Sequence, residues 1–255
     1  MKKIKTIIIM VLSLLILVAC QNSKQESSKE TKNEIKKETV ETLSKSYKNI
    51  SDGGFYLDKS GKIISKADIK NQQIIEWYTE PRCPACITLE TNFKEYSSDI
   101  MGESTLIKFT PLSFLGKDKE KPELITYSDN LAAIYLALAE YEPKIAQKYI
   151  GETMTVLYST TNAEKSTEEQ LKAFKETYEK LGGKDWGKIE KEIPKTMKIA
   201  NLGVQELIQN EDMKKRVENG QLTTPLVWKR GTEKAIKIDP DKPEEIKKSL
   251  EEVLK

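Results

Sequence analysis

The sequence of 255 residues contains no histidine, and this absence removes whole classes of catalytic chemistry. Histidine metal sites, Ser-His and Cys-His nucleophile pairs, and histidine acids or bases are all excluded. Cysteine is scarce as well, with three residues in the chain. A structural zinc site needs four ligands, mostly Cys and His, so here it would require carboxylates or a partner chain. The composition therefore predicts no metal site.

Strong net charge is also lacking. The chain has 42 Lys and Arg against 40 Asp and Glu, and three of the lysines lie in residues 1–19. Without those residues the counts are 39 and 40. Since no large excess of either sign remains, the charge does not indicate nucleic acid or a strongly charged surface as a partner.

Residues 1–19 have the pattern of an export signal. A short lysine-containing stretch precedes an apolar run from Ile7 to Val18, which is shorter than the roughly 20 residues of a spanning helix. The run ends in Leu17-Val18-Ala19-Cys20, which resembles the lipobox of bacterial lipoproteins. The resemblance implies cleavage before Cys20 and a lipid on its sulfur. The alternatives are an ordinary secretory signal or an uncleaved anchor.

Residues 20–50 are predicted to be a flexible tether outside the folded part. They are rich in Lys, Glu, Ser, Thr and Asn, with almost no apolar residue before Val40. Such a segment buries too little apolar surface to offset the entropy of ordering it. A helix over about 33–48 is the alternative, because Glu and Lys are good helix formers. The folded part is then expected to span residues 51–255.

The folded part begins with patterns typical of strands. Phe55–Leu57 and Ile63–Ile64 flank a turn and predict a small hairpin. Gln73–Tyr78 predicts a buried strand, the apolar spacing over 84–98 a helix, and Ser104–Pro111 a further strand. Since a strand–helix–strand unit joins its strands by a right-handed crossover, the last two strands are expected to be parallel.

The middle of the chain predicts helices. Ser166 to Glu169 has capping-box spacing ahead of an apolar stripe, and Gly182 is placed to end that helix. A further helix is predicted over 195–217. The end of the chain returns to strands, with a hairpin of 225–228 and 234–238, followed by a last helix from Pro243.

The motif Cys83-Pro84-Ala85-Cys86 carries the chemistry. It could be a redox dithiol, half of a zinc site or two inert buried cysteines, and its place after a strand favours the first. At a helix N-terminus, unpaired N–H groups and the helix dipole stabilise a thiolate, which is the attacking species in disulfide exchange. Cys83 is therefore expected to attack a partner and Cys86, one turn further, to resolve the mixed disulfide. Pro84 suits the first helical turn.

At this motif the chain resembles the thioredoxin superfamily, and specifically its DsbA-like branch. The motif follows a strand and opens a helix, a long helical segment follows the next strand, and Thr223-Thr224-Pro225 precedes a terminal hairpin and helix. The resemblance covers about residues 52–255. It implies an α/β, thioredoxin-like fold with a central mixed sheet flanked by helices and a helical domain inserted at about 118–215.

The resemblance also implies roles for three further residues. The family has a cis-proline loop beside its active cysteines, so the Thr224–Pro225 bond is expected to be cis, with Thr224 and Pro225 forming the edge that docks substrate. The family often has a buried acid beneath the resolving cysteine. Glu76 lies in an apolar strand and is the candidate, although it stands one residue further from Cys83 than expected. A strand-edge Glu that faces solvent is the alternative.

These patterns predict a lipoprotein, anchored to the cell membrane through Cys20 on its extracytoplasmic face, that exchanges disulfides with exported proteins. The chemistry needs no cofactor, and a membrane redox partner would recycle the site. Oxidation of the partner proteins is the expected direction. A reductase or electron carrier with the same site is an alternative, and so is a non-catalytic lipoprotein chaperone with a structural disulfide. The sequence leaves the client proteins and the oligomeric state open.

Overall fold

The structure is a computed structural model of the chain, and it describes residues 38–92, 97, 101–158, 163–216, 222–233, 235, 236, 239 and 242–254. The predicted export signal, Cys20 and most of the predicted tether lie outside the described residues. Within the part of the chain that is described, no helix has both the length and the apolar character needed to cross a bilayer.

A mixed five-stranded sheet forms the centre of the fold, in the order β2-β1-β4-β3-β5. Strands β3 and β4 are parallel, as the strand–helix–strand order predicts, and the other neighbours are antiparallel. The predicted first hairpin is confirmed as β1 and β2. The strands have these bounds: β1 Phe55–Leu57, β2 Ile63–Ile64, β3 Gln73–Thr79, β4 Thr105–Pro111 and β5 Leu226–Lys229.

Helices cover the sheet and fill the interval between β4 and β5, where the sequence predicts an inserted helical segment. Their bounds are α1 Val40–Ser44, α2 Pro84–Thr91, α3 Tyr127–Tyr141, α4 Pro143–Glu152, a π-helical turn Thr153–Leu157, α5 Thr167–Lys180, α6 Trp186–Gln209, α7 Glu211–Arg216 and α8 Pro243–Leu254. Helix α3 is buried over 127–139 and packs into one core with Trp77 and Phe109 of the sheet. The predicted α/β class with a mixed sheet is confirmed.

The capping box predicted at Ser166 is present, since its hydroxyl accepts the N–H of Glu169 while that carboxylate accepts the N–H of Ser166. Helix α6 differs from its prediction, because it begins at Trp186 rather than at 195. The side chain of Asp185 caps it, and Pro194 lies within the helix. A proline has no N–H to donate inside a helix, so the sequence pattern placed the start after Pro194.

Residues 38–50 also differ from the prediction, because they pack on the fold instead of extending from it. Val40, Tyr47 and Ile50 are buried in the main core. The carboxylate of Glu140 in α3 accepts the backbone N–H groups of Lys48 and Asn49 at 2.8 and 2.7 Å. The folded part therefore begins before the predicted boundary at residue 51. The prediction rested on the average composition of residues 20–50, in which these few apolar residues have little weight.

Candidate active site

Strand β3 delivers the cysteine motif to the edge of the core. The chain leaves β3 at Thr79, turns through Glu80-Pro81-Arg82, and enters α2 with Cys83 as the N-cap residue. Pro84 is the first helical residue and its side chain is exposed, as a proline without an N–H is well suited to be. Of the predicted helix 84–98, Pro84–Thr91 is helical, and most of the remainder lies outside the described residues.

The residue Cys83 is buried, yet its thiolate form is stabilised. It is 7% exposed, and its thiol donates to the backbone oxygen of Thr224 at 3.1 Å. The pKa of Cys83 is lowered to about 6, first by a hydrogen bond from the Cys86 thiol, against the opposing effect of burial. Backbone N–H groups of Ala85 and Cys86 at the head of α2 lower it further. A large share of Cys83 is therefore ionised at neutral pH.

Cys86 has the opposite environment. It is 1% exposed, and both cysteines are free thiols in this structure. Burial raises the pKa of Cys86 well above its ordinary value, and the neighbouring Cys83 raises it further. The backbone N–H of Glu80 points to the Cys86 sulfur at 3.5 Å. Both cysteines are therefore buried, but they differ in acidity, because the pKa of Cys83 is lowered and that of Cys86 is raised.

Residues from the far end of the chain complete the site. The Thr224–Pro225 peptide bond is cis, which confirms the prediction. Antiparallel pairing of β5 with β3 places Leu226 opposite Tyr78, so the residues just before β5 reach the point where β3 ends. The structure thus brings Thr224 to Cys83, although the two residues are 141 positions apart in the sequence.

Glu76 is buried, but it lies away from the thiols. Alternate residues of a strand face opposite sides of a sheet, and Trp77 and Thr79 face the cysteines. Glu76 faces the other side, where its carboxylate accepts a 2.7 Å hydrogen bond from Nε of Arg230. Arg230 also donates to the hydroxyl of Tyr56 at 3.3 Å. The structure therefore does not support Glu76 as the acid beneath Cys86, because its offset of one residue along β3 places it on the opposite face of the sheet.

Glu80 is the buried acid that the sequence interpretation missed. Its side chain is fully buried, and its Oε2 accepts the backbone N–H of Arg82 at 2.6 Å. Its Oε1 makes no hydrogen bond of normal geometry, although Ser128 interacts with the carboxyl group and acts to lower its pKa. Burial raises the pKa of Glu80 to about 7, and the nearby charge of Cys83 adds to the increase. The position of Glu80 between a strand and the Cys-x-x-Cys motif could have indicated this role. Residues in turns are usually exposed, however, so the sequence alone did not predict its burial.

Arg82 lies beside the motif and packs against the loop after β4. Gly116, with a φ of 79°, leaves the space for the guanidinium, because a Cβ there would lie 2.0 Å from Nη1 of Arg82. No three His, Cys, Asp or Glu side chains are grouped as metal ligands within the described ranges. What the site holds together is a dithiol, a buried carboxyl group and a backbone acceptor, and this set can exchange disulfides and move a proton.

The fold is similar to solved structures of thiol–disulfide oxidoreductases at low sequence identity. MdbA from Corynebacterium matruchotii is 17% identical with a TM-score of 0.54, covering 81% of this chain and 98% of its own. MdbA from Corynebacterium diphtheriae is 17% identical with a TM-score of 0.53, covering 80% and 92%. BdbD from Bacillus subtilis, in its oxidised form, is 12% identical with a TM-score of 0.51, covering 79% and 93%.

No protein-family model matches the sequence, and no curated protein matches it. The likeness in structure nevertheless extends over about four fifths of the chain and nearly all of each neighbour. The chain therefore has the DsbA-like variant of the thioredoxin fold.

Proposed function

We propose that this chain is an extracytoplasmic thiol–disulfide oxidoreductase that oxidises exported proteins through Cys83 and Cys86. One observation carries the proposal. The Cys83 sulfur lies at the head of α2, 3.1 Å from the backbone oxygen of Thr224, and is more ionisable than an ordinary thiol. A structural disulfide needs neither a lowered thiol pKa nor a sulfur placed against a backbone acceptor, so the non-catalytic alternative explains neither feature.

The reaction is a pair of substitutions at sulfur. A substrate thiolate attacks Cys83 of the Cys83–Cys86 disulfide, the S–S bond breaks, and Cys86 leaves and takes up a proton. A second substrate thiolate then attacks the substrate sulfur of the mixed disulfide and releases Cys83 as a thiolate. The substrate loses two electrons and two protons and gains a disulfide, while the chain gains the electrons as a dithiol. The backbone N–H of Glu80 points to the Cys86 sulfur, and its buried carboxyl group interacts with the charge of Cys83, so Glu80 is suited to supply the proton for Cys86.

The environment of Cys83 supports oxidation of the substrate rather than its reduction. A thiol with a lowered pKa is a better leaving group, so release of Cys83 from the mixed disulfide is favoured. The same stabilisation makes the dithiol form of the chain more stable, and an oxidant is strong when its reduced form is stabilised. The backbone oxygen of Thr224 is released once Cys83 bonds to substrate, and it can then accept an N–H of the incoming peptide.

The direction is tested by equilibrating the purified chain in glutathione buffers and counting free thiols by alkylation and mass spectrometry. We expect a reduction potential nearer the roughly −120 mV of DsbA than the roughly −270 mV of thioredoxin. Alkylation of Cys83 should rise through a pKa of about 6. A potential near that of thioredoxin would favour the reductase alternative, and an alkylation pKa near the free-cysteine value of about 8.5 would contradict catalysis altogether.

The location rests on the sequence pattern before residue 20. We propose that Cys20 carries a lipid that anchors the chain to the cell membrane, where a membrane redox partner reoxidises the dithiol. Metabolic labelling with a clickable fatty acid should mark the chain, and Cys20→Ala should remove the label and release the chain from the membrane fraction. Labelling that survives Cys20→Ala would contradict the anchor and leave the redox proposal unaffected.

A further inference from the structure

A second buried carboxyl group lies further along the active-site helix. Glu90 is one turn beyond Cys86 in α2, and residues four apart share a helix face. Its side chain is buried, and its Oε1 accepts a hydrogen bond of 2.5 Å from Nε2 of Gln147 in α4. The pair therefore joins the helix that carries the dithiol to a helix of the interval between β4 and β5.

Each side chain of this pair has one further oxygen atom that is available for a second hydrogen bond. Oε2 of Glu90 and Oε1 of Gln147 are both buried and lack a partner among the described residues. Two acceptor oxygens cannot bond to each other unless one of them carries a proton. A neutral carboxyl group supplies it, since its O–H can donate to the amide oxygen while its carbonyl oxygen accepts the amide N–H.

The surroundings favour the neutral acid as well. The titratable group that faces Glu90 from α3 is Tyr135, whose hydroxyl is bonded to Thr153 of the π-helical turn at 2.8 Å. From α4 the neutral groups Gln147 and Gly151 approach it. No Lys or Arg bonds to Glu90 among the described residues, and a carboxylate in the last turn of α2 would also oppose the helix dipole.

We infer that Glu90 and Gln147 form a carboxylic acid–amide pair, with Glu90 neutral, that positions the dithiol helix α2 against α4. The pair keeps negative charge away from the base of the helix whose head stabilises the Cys83 thiolate. It is a positioning pair, because the hydrogen bond joins the two side chains to each other, while the sulfurs bond to the backbone of Glu80 and Thr224. The positioning role rests on the proposed function, because it takes α2 to be the catalytic helix. The neutral acid–amide pair itself affects stability and does not depend on that function.

The pair should make stability depend on pH. Burial raises the pKa of Glu90 from 4.5 to about 8, so the folded chain binds one proton more than the unfolded chain between these values. Stability is therefore full below about pH 4.5 and falls as the pH rises towards 8, by up to about tenfold in the unfolding equilibrium constant per pH unit. Glu90→Gln keeps the reciprocal pair without a titrating proton and should remove this dependence.

The experiment uses the purified oxidised chain, in which the cysteines do not titrate, and compares denaturant unfolding of wild type and Glu90→Gln from pH 4.5 to 9. We expect similar stability near pH 4.5 and an unfolding constant larger for wild type by about several hundred-fold at pH 7.5. The infrared spectrum of wild type minus that of Glu90→Gln at pH 6 should contain a protonated carboxyl band, because the band of neutral Glu80 is common to both and cancels. Glu190→Gln, which removes an exposed carboxylate of α6, is the matched control and should change neither measurement.

A further pair of variants tests the positioning role. Gln147→Leu should speed hydrogen exchange of the backbone amides in α2 by about tenfold or more, because it leaves a buried acid without its partner. Glu90→Leu combined with Gln147→Leu should restore slow exchange, since two apolar groups need no hydrogen bonds. A constant difference between wild type and Glu90→Gln at every pH, or no carboxyl band, would overturn the inference. An inactive chain with the expected pH dependence would overturn the proposed function and leave the pair standing.

Discussion

Strand β3 separates two buried regions that differ in whether their ionisable groups form salt bridges. On one face, Glu76 bonds to Arg230, and Lys108 of β4 lies 3.7 Å from Asp52. At the other face and the end of the strand, no salt bridge of the described residues reaches Glu80, and Cys83 ionises near neutral pH. The charges on the first face have partners of opposite sign, whereas Glu80 and Cys83, with pKa values of about 7 and about 6, can exchange protons near neutral pH. We therefore infer that the ion pairs of the first face stabilise the fold and that the ionisable groups of the second face take part in the reaction.

The largest expected effect follows from removing the sulfur at the chemical face. Cys83→Ser should abolish disulfide exchange with a reduced substrate protein, because no nucleophilic or leaving sulfur remains accessible. Cys86→Ser, mixed with a substrate that contains a disulfide, should attack it through Cys83 and remain as a mixed disulfide, because no Cys86 thiol is left to resolve it. A non-reducing gel detects this species. Cys20→Ala is the control and should retain full exchange. Turnover by Cys83→Ser would show that the chemistry lies elsewhere.

Next in size is the effect of neutralising Glu80. Glu80→Gln should slow the exchange step that protonates Cys86 by about tenfold or more, because general acids and bases contribute about 10²- to 10⁴-fold. Stopped-flow kinetics with a peptide dithiol measures this step. The same substitution should remove a limb near pH 7 from the pH–rate profile. A rate and profile equal to wild type would contradict a proton-transfer role.

Glu80 should also affect stability in a pH-dependent way. Its pKa is raised from 4.5 to about 7 in the folded chain, so wild type should lose stability relative to Glu80→Gln as the pH rises through this range. Above about pH 7 the difference should stay constant. Urea unfolding of the oxidised forms measures it, and a difference that is already constant from pH 4.5 would show that the carboxyl group is ionised throughout.

A smaller effect is expected on the structural face. Arg230→Met should lower the free energy of unfolding by about 1–3 kcal/mol, because it leaves the Glu76 carboxylate buried without its cation. The half-exposed position of Arg230 keeps the loss below that of a fully buried pair. Thermal and urea unfolding measure the loss, while the alkylation profile of Cys83 should stay unchanged.

The smallest effect is expected for Glu76→Gln, which tests the difference between the two faces of β3 most directly. Glu76→Gln should leave the exchange rate and the pKa of Cys83 as in wild type, since Glu76 lies on the opposite face of β3 from the sulfurs. It is the matched control for Glu80→Gln, with the same chemical change four residues away. An exchange rate that falls as far in Glu76→Gln as in Glu80→Gln would break the distinction between the faces.

Local pattern was enough to predict much of this molecule. The strand before the motif, the helix that opens at Pro84 and the Thr224–Pro225 loop follow from apolar runs, a proline at a helix start and one family resemblance. Burial of single acids was not predictable in this way. Whether Glu76 or Glu80 faces the sulfurs depends on the number of residues in a turn, and the position of Glu90 depends on how α4 packs.

Two boundaries failed for related reasons. Pro194 suggested a helix start, yet packing of Ile189 and Ile193 in the main core keeps the helix continuous through it. Near the other end of the fold, Val40 and Ile50 are too few to change the composition of their segment, but each fills a site in the core. Tertiary contacts decide such cases, and they are not visible in a window of sequence.

The strand that brings Thr224 to Cys83 is the last to be made. During synthesis the motif emerges 141 residues before its backbone acceptor, with every helix of the interval in between. Until β5 pairs with β3, the nascent chain presents two cysteines without that neighbour. The site can therefore be completed only after the chain has been made through β5, and a chain cut short before residue 224 would carry the motif without the finished site.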